Sequence, residues 1–178
     1  TNGMVIPDPY DSRTEPSDDG SCGGGGPAQS TSSDGDTLNP GTFCNGLTIQ
    51  HSNVVMESGV YVLYNGDFKV NAGASVTSNG GVTIFLTGSA SNQVGTVNFG
   101  GTADVDLDAP TVAEASAAGC SDCSGILMWQ DDLAPDSMGN NGTLNGGINM
   151  DLDGVIYFPN GNINITGGAA GNPGGSCT

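Results

Sequence analysis

A glycine-led apolar phrase recurs along this chain, as GVYVLYNG at 59–66, GVTIFLTG at 81–88, GILMWQDD at 125–132 and GVIYFPNG at 154–161. The first two glycines are 22 residues apart, the next pair 44 (twice 22), and the last pair 29. From Leu47 onward, shorter runs fill the gaps: LTI at 47, NVVM at 53, VYVLY at 60, DFKV at 67, ASVT at 74 and VTIFL at 82, with starts about seven residues apart. A repeated short strand bounded by turn residues is the mark of a chain whose units bury their apolar faces only by stacking on one another.

The spacing predicts an all-β fold, a short right-handed parallel β-helix with an extended N-terminal arm. Its coils are expected at 47–66, 67–88, 95 to about 131 with an insertion, and 144–166. A two-sheet β-sandwich is the alternative, and it fits less well because sandwich strands usually run longer, about 5–6 residues. The chain divides into an arm or linker at 1–46, a body at 47–168 carrying an insertion at 109–124, and a Gly-rich tail at 169–178. Within the arm, Met4-Val5-Ile6 is a short apolar run that can pair as an edge strand. Thirty-one glycines and nine prolines, with few strong helix formers, predict almost no helix.

Stacked in register, Val60, Val82, Ile126 and Val155 form one inward column, and Val62, Ile84, Met128 and Tyr157 a second. Leu63, Phe85, Trp129 and Phe158 then point outward. An apolar outer column needs a cover, supplied by the chain's own arm, by the insertion or by a neighbouring molecule. With Met4, Val5 and Ile6 as the strand a neighbour can lend, these residues form a candidate assembly interface, and a homo-oligomer or filament is the expected state.

The formal charge is −17, from 19 acidic groups against Arg13 and Lys69. Such a chain is repelled by nucleic acid and by anionic membranes, and no apolar stretch reaches the roughly 20 residues that cross a bilayer. No membrane insertion is expected of the chain as it stands, which reads as soluble or already processed. Cys22, Cys44, Cys120, Cys123 and Cys177 lie in Gly/Ser/Asp-rich surroundings and favour disulfides in an oxidising compartment. A local Cys120–Cys123 bridge is preferred, and Cys22 is then free to tether the arm through Cys44, leaving Cys177 unpaired or bonded between subunits; the sequence alone does not fix this connectivity. Asn141 and Asn164 each open an N-glycosylation triplet.

Catalytic signals are sparse. His51 is the only histidine, and no acid stands at a motif-like distance from it. No nucleophile elbow, phosphate-cradling loop or metalloprotease helix is present. A polysaccharide lyase would have only Arg13 and Lys69 to stabilise a carbanion, and for hydrolysis the best pair is Asp131-Asp132 beside Trp129. The chain is therefore expected not to be an enzyme and to need no cofactor. One metal reading stays open: ADVDLDA at 103–109 puts Asp104, Asp106 and Asp108 on one side of a strand, and Asp151 and Asp153 repeat the alternation. Together they are a candidate Ca²⁺ site. Asp131, Asp132 and Asp136 form a second acidic group.

The segments LNPGTFCNGLTI, ESGVYVLYNGDFKVNAGASVTSNGGVTIFLTG, VDLDAPT, GILMWQD and LDGVIYFPNGNINITG, in this order over about 38–168, resemble the C-terminal region of TadG-like proteins, which accompany the tight-adherence (Flp) pilus systems of bacteria. The resemblance implies an exported, membrane-anchored or surface-associated protein with a structural role in adhesion and no catalytic residues to carry over. The expected function is thus a non-catalytic extracellular structural protein of the bacterial cell surface, assembling into or decorating a pilus-like fibre. A carbohydrate-binding or carbohydrate-cleaving protein, acting on a surface glycan through Trp129, Asp131 and Asp132, is the alternative.

Overall fold

The computed structural model describes residues 7–22, 28–135, 141–146 and 150–167. Within them the chain first forms β1 (Gln29–Ser30), β2 (Thr37–Leu38), β3 (Gly41–Cys44), β4 (Leu47–Ile49), β5 (Val54–Tyr64), β6 (Phe68–Val70) and β7 (Ser75–Thr87). It continues through β8 (Val97–Phe99), β9 (Asp104–Asp108), α1 (Val112–Ala117) and β10 (Ile126–Gln130). β11 (Asn141–Gly146), β12 (Met150–Asp153), β13 (Val155–Tyr157) and β14 (Asn162–Gly167) complete it. Met4, Val5, Ile6, Asp136 and Cys177 lie outside the described residues.

The expectation of an all-β, right-handed parallel β-helix is corrected. The strands collect into two parallel sheets of six and eight strands, and the connections include the helix α1 and 3₁₀ turns at Ser91–Gln93 and Ser121–Cys123: a strand-rich, parallel α/β-like arrangement. The smaller sheet has the order β1-β4-β6-β8-β11-β14; the larger follows β12-β9-β7-β10-β13, with β5 pairing β7, β2 and β3. Parallel pairing throughout also excludes the sandwich alternative, whose sheets are antiparallel.

Strand length is one physical reason for the difference. β5 and β7 run for 11 and 13 residues, each fusing two of the runs that the glycines punctuate. The helix is another. Thr111 and Glu114 form a reciprocal capping box, the Thr111 hydroxyl accepting from the Glu114 N–H while the Glu114 carboxylate accepts from the Thr111 N–H at 2.9 Å. Glu114 also accepts from the Gly81 N–H at 3.0 Å, which ties the insertion back onto β7. The body begins at β1, so strands form well before Leu47 inside the segment read as an arm.

The predicted side-chain columns are corrected as well. Residues 54–57 of β5 pair with 76–79 of β7 at an offset of 22 (76 − 54), but past a bulge in β7 opposite Ser58 the offset is 23 (82 − 59), so Gly59 lies opposite Val82 and Val60 opposite Thr83. The extra residue comes from Gly80-Gly81, and a one-residue slip exchanges the faces of all that follows. Tyr61, Ile84, Met128 and Ile156 consequently share a row, as do Val62, Phe85, Trp129 and Tyr157. Of the four residues expected in the first column, only Ile126 and Val155 are partners.

The main core lies between the sheets, where Ile49, Phe68 and Phe99 of the smaller meet Met56, Ile84 and Leu86 of the larger, all 2 % exposed or less. Leu63 belongs here instead of facing out, and Phe158 packs against this cluster. A second, smaller cluster occupies the other face of the larger sheet: Val62, Phe85, Ile126 and Trp129, with Tyr10, Val60 and Tyr157 against it. Tyr10 belongs to the arm, so the chain covers its own outer face.

Candidate functional site

The arm is fastened to that face along its length. Tyr10 packs on Tyr157 with ring centroids 5.1 Å apart, and the Tyr157 hydroxyl donates to Asp8 at 2.8 Å. The Arg13 guanidinium donates to the carbonyls of Asp122 (2.6 Å) and Ser124 (2.9 Å) and lies over the Tyr10 ring. The Thr14 N–H donates to the Asp122 carboxylate at 3.1 Å. Cys22 closes the arm onto β3 through its disulfide with Cys44, and the second disulfide, Cys120–Cys123, closes the loop that receives Arg13. The local bridge is the one the sequence favours, and the Cys22–Cys44 tether is a pairing it leaves open.

Where the arm crosses the end of β10, three carboxylates meet. β10 stops as the chain turns: the Asp131 N–H donates to the Leu86 carbonyl, and the Asp131 carboxylate takes bonds from the Leu133 N–H and the Thr87 hydroxyl. The Asp132 N–H donates to Glu15 at 3.1 Å. Glu15, Asp131 and Asp132 each place an oxygen within 4.8 Å of the others. Burial, and then the negative charge of Asp131, push the Glu15 carboxyl up to about 7; the Asp132 N–H and the Trp129 indole act in the opposite direction, and the Asp132 charge adds to the rise. The Trp129 indole N–H is buried, turned toward Glu15, and makes no hydrogen bond of normal geometry among the described residues. These oxygens are of the type a hard cation takes, although acidic side chains often converge without one.

Beside this cluster lies a cavity of about 600 Å³, walled by the arm at Thr14, Glu15 and Asp19 and by the loop at Cys120–Asp122, and floored by Thr42, Val60 and Val62. No aromatic side chain lines it.

The other candidates are placed as follows. Asp104, Asp106 and Asp108 are exposed along β9, with Val105 and Leu107 buried between them. The register sets Asp106 opposite Asp151 and Asp108 opposite Asp153, so the expected stacking of the two acidic strands does form. Among the described residues, however, only the Glu15 group brings three potential ligand oxygens together. Glu15 is the residue that sequence reasoning missed. More than a hundred positions separate it from Asp131, and no local pattern links them. Trp129 is 1 % exposed and meets Phe85 and Tyr157 in edge-to-face contacts, so it offers no open platform to a sugar. His51 pairs with the Thr31 hydroxyl at 3.0 Å. Asn164 is exposed on β14, and Asn141 opens β11.

No protein-family model, no curated protein and no solved structure matches the chain. Among the described residues no helix is long and apolar enough to cross a membrane.

Proposed function

We propose that the chain is a non-catalytic structural protein working outside the cell at a bacterial surface, where it self-assembles into or decorates a pilus-like fibre serving adhesion. The observation that carries this reading is the way the sheets end. β14 pairs with β11 on one side and with no other described strand, and its Ile165 is 66 % exposed. Leu152, Ile156, Phe158 and Ile163 beside it pack on the main core while only half-buried. Parallel sheets carried to such an edge present unpaired backbone donors and acceptors that another chain can complete.

Other features support the address. Two disulfides suit an oxidising compartment, and the phrases at 38–168 resemble proteins of the tight-adherence pilus systems. Because the arm already covers Phe85 and Trp129, assembly falls to the sheet ends and not to the outer apolar column.

Light scattering and electron microscopy of the purified chain test the reading. Concentration-dependent particles or fibres are expected, and Asn164→Pro or Ile165→Lys on the exposed edge should shorten or abolish them. A chain that stays monomeric at every concentration, or edge variants that assemble like the parent, would overturn it.

A further inference from the structure

The open edge at β14 also carries the pattern of the strand that would complete it. Ile163 and Ile165 lie opposite Gly142 and Leu144 of β11, and Leu144 is buried, so both isoleucines stand on the core-facing side of the strand while Ile165 stays exposed. The segment that follows, GAAGNPGGSCT at 168–178, has no aliphatic side chain larger than alanine apart from Pro173, and so offers little to cover them. We infer that β14 pairs with β14 of a second copy, antiparallel and about a two-fold axis at Asn164, so that the assembling unit is a closed dimer. The inference rests on the fibre reading and narrows it: a pair closed by a two-fold decorates a fibre and does not polymerise through this edge.

β14 is complementary to itself. Centred on Asn164, the pairing sets Ile163 opposite Ile165 of the second copy and Ile165 opposite its Ile163, so each exposed isoleucine gains an apolar neighbour on the core side. On the outer side Asn164 meets Asn164 and Asn162 meets Thr166, side chains that can exchange hydrogen bonds. A slip of one residue would set isoleucine against asparagine. β14 carries no charged residue, which matters in a chain of formal charge −17, whose copies repel one another through most other surfaces. The opposite edge of the same sheet offers a poorer match. β1 is two residues long, and Gln29, opposite the buried Leu47, is the side chain it would set against an isoleucine. Asp34 and Asp36 follow it closely, and β3, at that end of the larger sheet, is already tied to the arm through Cys22–Cys44.

Cysteine cross-linking of the full chain in a Cys177→Ser background tests the pairing. Asn164→Cys should form a covalent dimer on air oxidation, because residues facing each other in an antiparallel pair hold their Cα atoms about 4.5–5.5 Å apart, within reach of a disulfide. Asp106→Cys, exposed on β9 away from the edge, should not. Ile165→Ala, which the two-fold counts twice, should weaken the dimer by about tenfold or more in analytical ultracentrifugation. A chain that stays monomeric at every concentration would remove the fibre reading and the pairing together. Assembly in which Asn164→Cys fails to cross-link, or in which a covalent link appears only when Asn164→Cys is mixed with Ser30→Cys, would overturn the two-fold pairing and leave the fibre reading standing.

Discussion

Phe85 and Trp129 stand opposite one another on adjacent parallel strands, their rings 6.1 Å apart and at 82° to each other, on the face of the larger sheet that Tyr10 roofs. The edge-to-face arrangement adds to their area burial. Trp129→Ala should cost about 3–5 kcal/mol of stability, read from denaturant unfolding. As the only tryptophan, Trp129 also reports on the roof: its emission should be blue-shifted and protected from iodide, and Tyr10→Ala should admit the quencher. Free quenching in the parent would show that the arm does not lie where the structure has it.

The two disulfides should differ in weight. Cys22–Cys44 spans 22 residues and joins the arm to β3, whereas Cys120–Cys123 spans 3. Loop-closure entropy gives roughly 3 kcal/mol for the longer link and less for the shorter. Replacing both cysteines of each pair by serine and comparing unfolding midpoints checks this, and an inverted order would contradict it.

Glu15 makes stability depend on pH in a direction opposite to the usual carboxylate. Its ordinary value of 4.5 rises to about 7 in the folded chain, so between these values the folded state holds a proton that the unfolded state has lost. Stability from this group therefore falls as pH climbs through that window, and the full penalty remains above it. Glu15→Gln should be more stable than the parent at about pH 8, by about 1 kcal/mol once its partial solvent exposure is discounted, with no difference at about pH 4. A gap independent of pH would remove the explanation.

Gly81 sits against the insertion so closely that a Cβ there would lie 2.1 Å from the Pro110 Cα. Gly81→Ala should destabilise by roughly 1–3 kcal/mol through overpacking against backbone. At Gly101 an added Cβ meets nothing within 4 Å, so Gly101→Ala should leave the melting temperature nearly unchanged. Thermal melts of the pair separate steric contact from a general effect of glycine replacement.

The glycine-led phrases made the strands legible, because β-branched and aromatic runs between turn residues have few other structures open to them. The cysteine surroundings likewise pointed to disulfides, and the short Cys120–Cys123 spacing to one of the two that form; the Cys22–Cys44 partnership was decided by the fold. Helix α1 was legible too in principle, since Thr111-Val-Ala-Glu114 is a capping-box pattern, but the cysteine-bearing stretch SAAGCSDCSG that follows reads as loop. The joining of short runs into β5 and β7 is not visible in spacing alone: it depends on backbone pairing with neighbouring strands, which local composition does not encode.

What the amino-acid order determined by itself was the material: many strands, little helix, strong negative charge, cysteines in disulfide-favouring surroundings and a surplus of apolar residues on alternate positions. Only the tertiary structure decided the register, where one extra glycine before Val82 moves Leu63 into the main core and puts Val62 beside Phe85. It also decided that the arm, and not a second molecule, roofs Trp129. The same folding carries Glu15 across more than a hundred residues to Asp131, because charge repulsion and burial act through space, and distance along the chain has no bearing on either.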